Sequence, residues 1–204
     1  MPSLNTVHRM VAVPILTFIA LHLFNHIVSI AGVDSHIAVM NTLRVLYRNL
    51  IVESIILFSL LAQIIIGLCF IFRSRNRRHG FFQKAQAFSG LYIAFFLVLH
   101  IGAVFNGRYN LDLDTNFYFA AAGLHVGWLK LFFIPYYLFA VVAIFTHVSC
   151  FIRWRILQNS SVGKANMAAT LVIFTGMVFG LVIVASLSGM FYDVNIPNDY
   201  KNMF

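Results

Sequence analysis

Apolar positions along this chain fall in five long blocks, near residues 10–31, 49–72, 86–105, 128–152 and 167–190. Each is long enough to cross the roughly 30 Å hydrocarbon core of a bilayer as a helix, which takes about 20 residues. The blocks are apolar all round and show no ten-residue alternation, so spanning helices are predicted and a β-barrel is excluded. The predicted fold class is all-α: one integral-membrane domain over residues 1–204, built as a five-transmembrane-helix bundle. The intervening stretches are short. The loop 32–46, in "SHIAVMNTLRVLYRNL", is amphipathic and reads as a short interfacial helix. "RSRNRRHGFFQKA" at 73–85 is a tight basic connection, and "YDVNIPNDYKNMF" is a polar tail.

Composition agrees with that pattern. Hydrophobic residues make up 61% of the 204 and charged residues only 10%, where a soluble domain carries about 25% charged. The first block is too long for a signal-peptide core and no small-residue cleavage site follows it, so the first helix is expected to be retained. Cys69 and Cys150 both fall inside apolar blocks; they read as small packing residues and not as a disulfide framework.

Charge sets an expected orientation. With the N-terminus inside, the inner face carries Arg9, Arg73, Arg75, Arg77, Arg78, Lys84, Arg153, Arg155 and Lys164. The outer face carries Arg44, Arg48, Arg108, Lys130 and Lys201 together with all the acidic residues: Asp34, Glu53, Asp112, Asp114, Asp193 and Asp199. Positive residues concentrate on the cytoplasmic side of membrane proteins, so N-in, C-out is the expected topology. The net charge of +8 is then topology plus a docking face for an inner partner. Nucleic acid is not an expected partner, because the basic loop is short and lacks interleaved aromatics.

The eight histidines carry the candidate chemistry. His79 lies in the basic loop and His125 at an outer helix start, and both read as surface residues. His8 sits at the inner edge of the first helix and His36 in an outer loop. His22, His26, His100 and His147 lie within or near the ends of apolar blocks, where an ionisable group is costly and marks function by default. "HRMVAVPILTFIALH" and "QAFSGLYIAFFLVLH" each place a histidine fourteen residues after a polar residue, His22 after His8 and His100 after Gln86. Fourteen helical residues rise about 21 Å, so His22 and His100 share one depth on two parallel helices. Paired imidazoles at one depth suit a six-coordinate b-type haem. The alternative is that each merely hydrogen-bonds a neighbouring carbonyl. His147 and its helix-2 counterpart Gln63 belong to the inner half; a second haem there wants two histidines and finds one. Glu53 opens the second helix, either as a carboxylate favoured by the helix dipole or as a proton acceptor for a quinol. Asn25 and His26 are one turn beyond His22 and line the same region.

The residues then resemble a known family: the single-chain, five-helix, two-haem cytochrome b membrane anchor of succinate dehydrogenases and fumarate reductases. "LHLFNH" around His22, with Pro14 eight residues before it, resembles the first ligand helix. "QAFSGLYIAFFLVLH" resembles the third, "THVSCFIRW" the fourth, "ATLVIF" the start of the fifth and "YRNLIVESIILF" the start of the second. The resemblance spans nearly the whole chain and rests on order and spacing. It implies that His22 and His100 bind the haem b farther from a flavoprotein, and that Gln63 and His147 stand where the nearer haem is held. It implies a flavoprotein subunit and an iron–sulfur subunit docked on the inner face, a quinone site, lipid around the helices, and a multi-pass place in a bacterial cytoplasmic or mitochondrial inner membrane. Electrons pass between quinone and the soluble pair; the anchor performs no chemistry on succinate. The chain departs from the pattern at Gln63, where the family has histidine, and at Ala87, where it often has arginine. His8 and Arg9 are substitutes for that arginine, and a single haem is expected. Three other readings remain: a haem-free scaffold for soluble subunits, the cytochrome b of another quinone-reactive oxidoreductase, and a transporter, which would need broken helices.

Overall fold

The computed structural model describes residues 3–74 and 79–204. Its regular elements among these residues are all helical. In chain order they are α1 (Leu4–Val28), α2 (Val33–Tyr47), α3 (Leu50–Arg73), α4 (Phe81–Tyr109), α5 (Phe117–His125), α6 (Lys130–Leu157), α7 (Val162–Leu187) and α8 (Asn198–Lys201). Single 3-10 turns follow α1 and precede α6. Among the described residues five helices are long and apolar enough to cross a membrane: α1, α3, α4, α6 and α7. That is the make-up of a multi-pass membrane protein.

The helix ends depart from the apolar blocks, passing them at the starts of α1, α4 and α7 and at the ends of α4 and α6 and stopping short at the ends of α1 and α7, because hydrophobicity marks lipid depth and capping marks the helix. The first helix starts at Leu4, six residues before the apolar block, where the Ser3 hydroxyl accepts the Thr6 amide at 3.2 Å. Asn49 caps α3 and Ser161 caps α7 through side-chain oxygens in the same way. The last turn of α7 stops short of Gly189, whose φ of 75° suits a residue without a Cβ. At α4 both polar ends are helical, so the helix runs 81–109 where 86–105 was expected.

The chain divides into two compact units, residues 1–76 and 77–204. In the first, α1 packs along α3 and α2 folds back against both. The expected amphipathic helix exists as α2, and it buries His36 and Met40. In the second unit, α6 and α7 form the most extensive contact and α4 packs on α6. Gly176 of α7 admits Phe145, and Gly180 admits Leu138. The short helix α5 was not anticipated. Its Phe117, Ala121 and Ala122 are fully buried, and the tail covers it through Tyr200, whose hydroxyl donates to the Asp114 carbonyl at 3.0 Å.

The spans leave large apolar side chains outward, including Phe58 and Phe72 of α3, Phe88 of α4 and Leu131 of α6. Patches of that extent on a water-soluble protein would mark an interface; on long apolar helices they meet lipid tails.

Several expectations need correction. His36 is no loop residue but is 2% exposed inside α2. His125 closes α5 instead of starting a span. It is half-buried, with Nε2 2.9 Å from the Leu187 carbonyl, where it satisfies one of the last acceptors of α7. Cys150 is buried and its thiol donates to the Phe82 carbonyl, but Cys69 is exposed on its helix instead of packing. Arg153 is held in place: its Nε donates to Asn166 at 2.7 Å, and its guanidinium lies 4.2 Å over the Phe82 ring. His79 is exposed, as expected. Arg75, Arg77 and Arg78 lie outside the described residues.

Candidate functional site

In the first unit three histidines gather where α1 ends and α2 folds back. His22 and His26 sit on successive turns of α1, so their side chains are neighbours. Their rings meet edge to face at 4.7 Å. The His36 ring lies 5.3 Å from that of His26. Asn25, buried beside them, donates from Nδ2 to His36 Nε2 at 3.0 Å, which puts the His36 ring proton on Nδ1. Burial, then the neighbouring His22 and Arg44, holds the His36 pKa at about 4, below the ordinary 6.5. His36 is therefore neutral at physiological pH. Asn25 Oδ1 is enclosed without a hydrogen-bond partner among the described residues.

His22 is half-buried, with the Phe18 ring of the preceding turn stacked on it at 5.4 Å and 18°. In the second unit His100, on α4, carries Phe96 in the same position at 5.1 Å and 14°. Both helices start earlier than their apolar blocks. His22 is eighteen residues from the start of α1 and His100 nineteen from the start of α4. These are rises of about 27 and 28 Å.

Gln63 and His147 have other attachments. Gln63 of α3 meets His8 of α1, with Nε2 to Nε2 at 3.2 Å. The amide donates there, and the His8 ring also lies against Phe70 at 5.5 Å and beside Gly67. Gln63 Oε1 is buried with no hydrogen-bond partner among the described residues. In the second unit His147 of α6 is held through Nδ1, 3.2 Å from the Gln86 carbonyl and 3.3 Å from the Ser89 hydroxyl. An imidazole tethered by Nδ1–H to a carbonyl keeps its lone pair on Nε2, the form a metal ligand needs. Gln86 thus reaches His147 by its backbone, a link that no side-chain pattern signals.

Glu53 is half-buried in the first turn of α3, where its amide donates to the Asn49 carbonyl at 2.8 Å and the helix dipole favours its charge. Among the described residues, no group of three or more His, Cys, Asp or Glu side chains is arranged to hold a metal ion alone. A haem, unlike a bare ion, needs only one nitrogen on each side of its ring.

Sequence reasoning missed His36 and the engagement of Gln63 by His8. For the latter a signal existed: two polar residues in apolar helices that run next to each other seek one another. No family model, no curated protein and no solved structure matches this chain.

Proposed function

We propose that this chain is the cytochrome b membrane anchor of a succinate:quinone oxidoreductase or fumarate reductase, in an energy-transducing membrane with its N-terminus inside and C-terminus outside. The observation that carries the reading is the register of His22 and His100, each about the same rise from the start of its own spanning helix and each under a stacked phenylalanine. Under this reading the two imidazoles hold one haem b, which when bound accepts and gives single electrons between quinone and the soluble redox subunits. Glu53, near the same end of its unit as His22 and His26, takes up the proton released when a quinol is oxidised there. The basic helix ends at Arg9, Arg73, Lys84, Arg155 and Lys164 dock a flavoprotein and an iron–sulfur subunit.

The inner residues do not fit a bis-imidazole haem. Gln63 offers a weakly donating amide, and that amide is already hydrogen-bonded to His8. His147 alone has the tethered form of a ligand. We therefore assign one haem per chain. The engaged Gln63 also favours the rival reading, a haem-free scaffold that docks the same soluble subunits.

A reduced-minus-oxidised spectrum and a haem count on the purified complex separate the two. One low-spin b-type haem per chain, lost in His22→Ala and in His100→Ala, supports the cytochrome. A complex coloured only by flavin and iron–sulfur centres defeats it and leaves the scaffold.

A further inference from the structure

Each histidine assigned to the haem packs against a phenylalanine that a tyrosine backs, and on its other side His22 goes on to meet His26. In the first unit the rings are Tyr47 of α2, Phe18 and His22. Tyr47 meets Phe18 edge-on at 5.4 Å and Phe18 lies parallel on His22. In the second unit they are Tyr136 of α6, Phe96 and His100, with Tyr136 at 4.7 Å from Phe96 and Phe96 parallel on His100. Tyr136 is buried, and its hydroxyl donates to the Phe96 carbonyl at 3.4 Å, pinning the ring to the turn it backs. The chain repeats the underlying pattern as "FIALH" and "FLVLH".

Rings four residues apart on a helix are always neighbours, but their planes need not agree. Among such pairs in this protein the interplanar angle runs from 14° for Phe96 and His100 to 88° for His22 and His26. Each assigned ligand has a phenylalanine at the parallel end of that range, although His22 also meets His26 edge-on, and Phe132 lies as nearly parallel on Tyr136 at 19°. A ring face pressed on an imidazole restricts rotation about χ2, which sets the plane that the imidazole presents to a metal. His147 is oriented differently, through hydrogen bonds at Nδ1.

We propose that Phe18 with Tyr47, and Phe96 with Tyr136, are positioning residues that fix the imidazole planes of His22 and His100 for axial ligation. The proposal rests on the haem reading above. Ligand-plane orientation governs the electronic asymmetry of low-spin ferric haem, so the readout is spectroscopic and independent of turnover. The experiment records the largest g-value of the ferric haem and its midpoint potential in the whole complex. Variants are Phe18→Leu, Phe96→Leu, Tyr47→Leu and Tyr136→Leu, with Tyr136→Phe as the ring-preserving change. Controls are Phe24→Leu and Phe95→Leu on the same two helices, whose rings are 55% and 49% exposed.

The expected result is a shifted or broadened g-value in each phenylalanine variant, a smaller change in the tyrosine-to-leucine variants, and wild-type signals in Tyr136→Phe and both controls. Where a phenylalanine variant does not accumulate with haem, the corresponding tyrosine variant, one ring farther from the ligand, decides. Wild-type g-values and potentials in the variants overturn this proposal while leaving the haem. A wild-type complex without haem overturns the functional reading itself.

Discussion

Gly176 of α7 lies against Phe145 of α6, and placing a methyl there tests that contact directly. A Cβ at Gly176 would lie 2.3 Å from Phe145 Cβ and 2.6 Å from its Cγ. Carbon atoms sit comfortably at about 3.5–4.0 Å, so the helices must part by roughly 1 Å or Phe145 must leave its place. Phe145 Cβ is bound directly to the backbone, and rotating the ring does not move it away. Overpacking of this kind costs about 1–3 kcal/mol. Against it stands the better helix propensity of alanine, about 1 kcal/mol, giving a net loss between about 0 and 2 kcal/mol. Gly102, inside α4, separates the two terms because a Cβ there meets nothing within 4 Å. Gly102→Ala should gain the propensity term alone, and the difference between the variants should be the overpacking cost. The assay is reversible denaturant titration in detergent, comparing midpoints and slopes. If Gly176→Ala matches or exceeds the midpoint of Gly102→Ala, α6 and α7 do not approach as described.

Other outcomes are equally specific. His22→Ala and His100→Ala should each remove the low-spin haem spectrum, whereas His79→Ala on the exposed turn should leave it intact. Gln63→His should raise the haem count of the purified complex from one per chain to two, and two haems in the unaltered protein would refute the single-haem assignment. Stability should fall with acidification. His36 has a pKa of about 4 in the fold against about 6.5 in an unfolded chain. Between these values the unfolded state binds more protons, so the stabilisation is complete above pH 6.5 and is lost as pH falls toward 4. The full difference is at most about 3 kcal/mol, felt at Asn25, His22, His26 and Arg44 around the ring. His36→Gln should flatten the dependence of melting temperature on pH across that window; an unchanged slope would show that His36 is not held neutral.

Much was legible from the order of residues alone. Five apolar blocks require five spanning helices, because lipid gives a backbone N–H or C=O no other partner than its own helix. The equal spacing of His22 from His8 and of His100 from Gln86 was likewise readable, since rise per residue is constant along a helix. The ends of the helices were less legible, because caps such as Ser3 and Asn49 act through geometry and not through hydrophobicity.

What hydropathy could not reveal is which residues of different helices meet. The short helix α5 is too brief to register as a span, yet packing buries Phe117 completely. His36 looked like a loop residue because nothing in its own segment says that α2 folds back onto α1 and seats it against Asn25. Gln63 looked like a vacant ligand position until α1 brought His8 to its amide. His147 owes its orientation to the Gln86 carbonyl, a backbone group that every residue carries and no sequence pattern can mark. Local periodicity reports the lipid around a helix; partners across helices are chosen by packing and by the need of each buried polar group to find another.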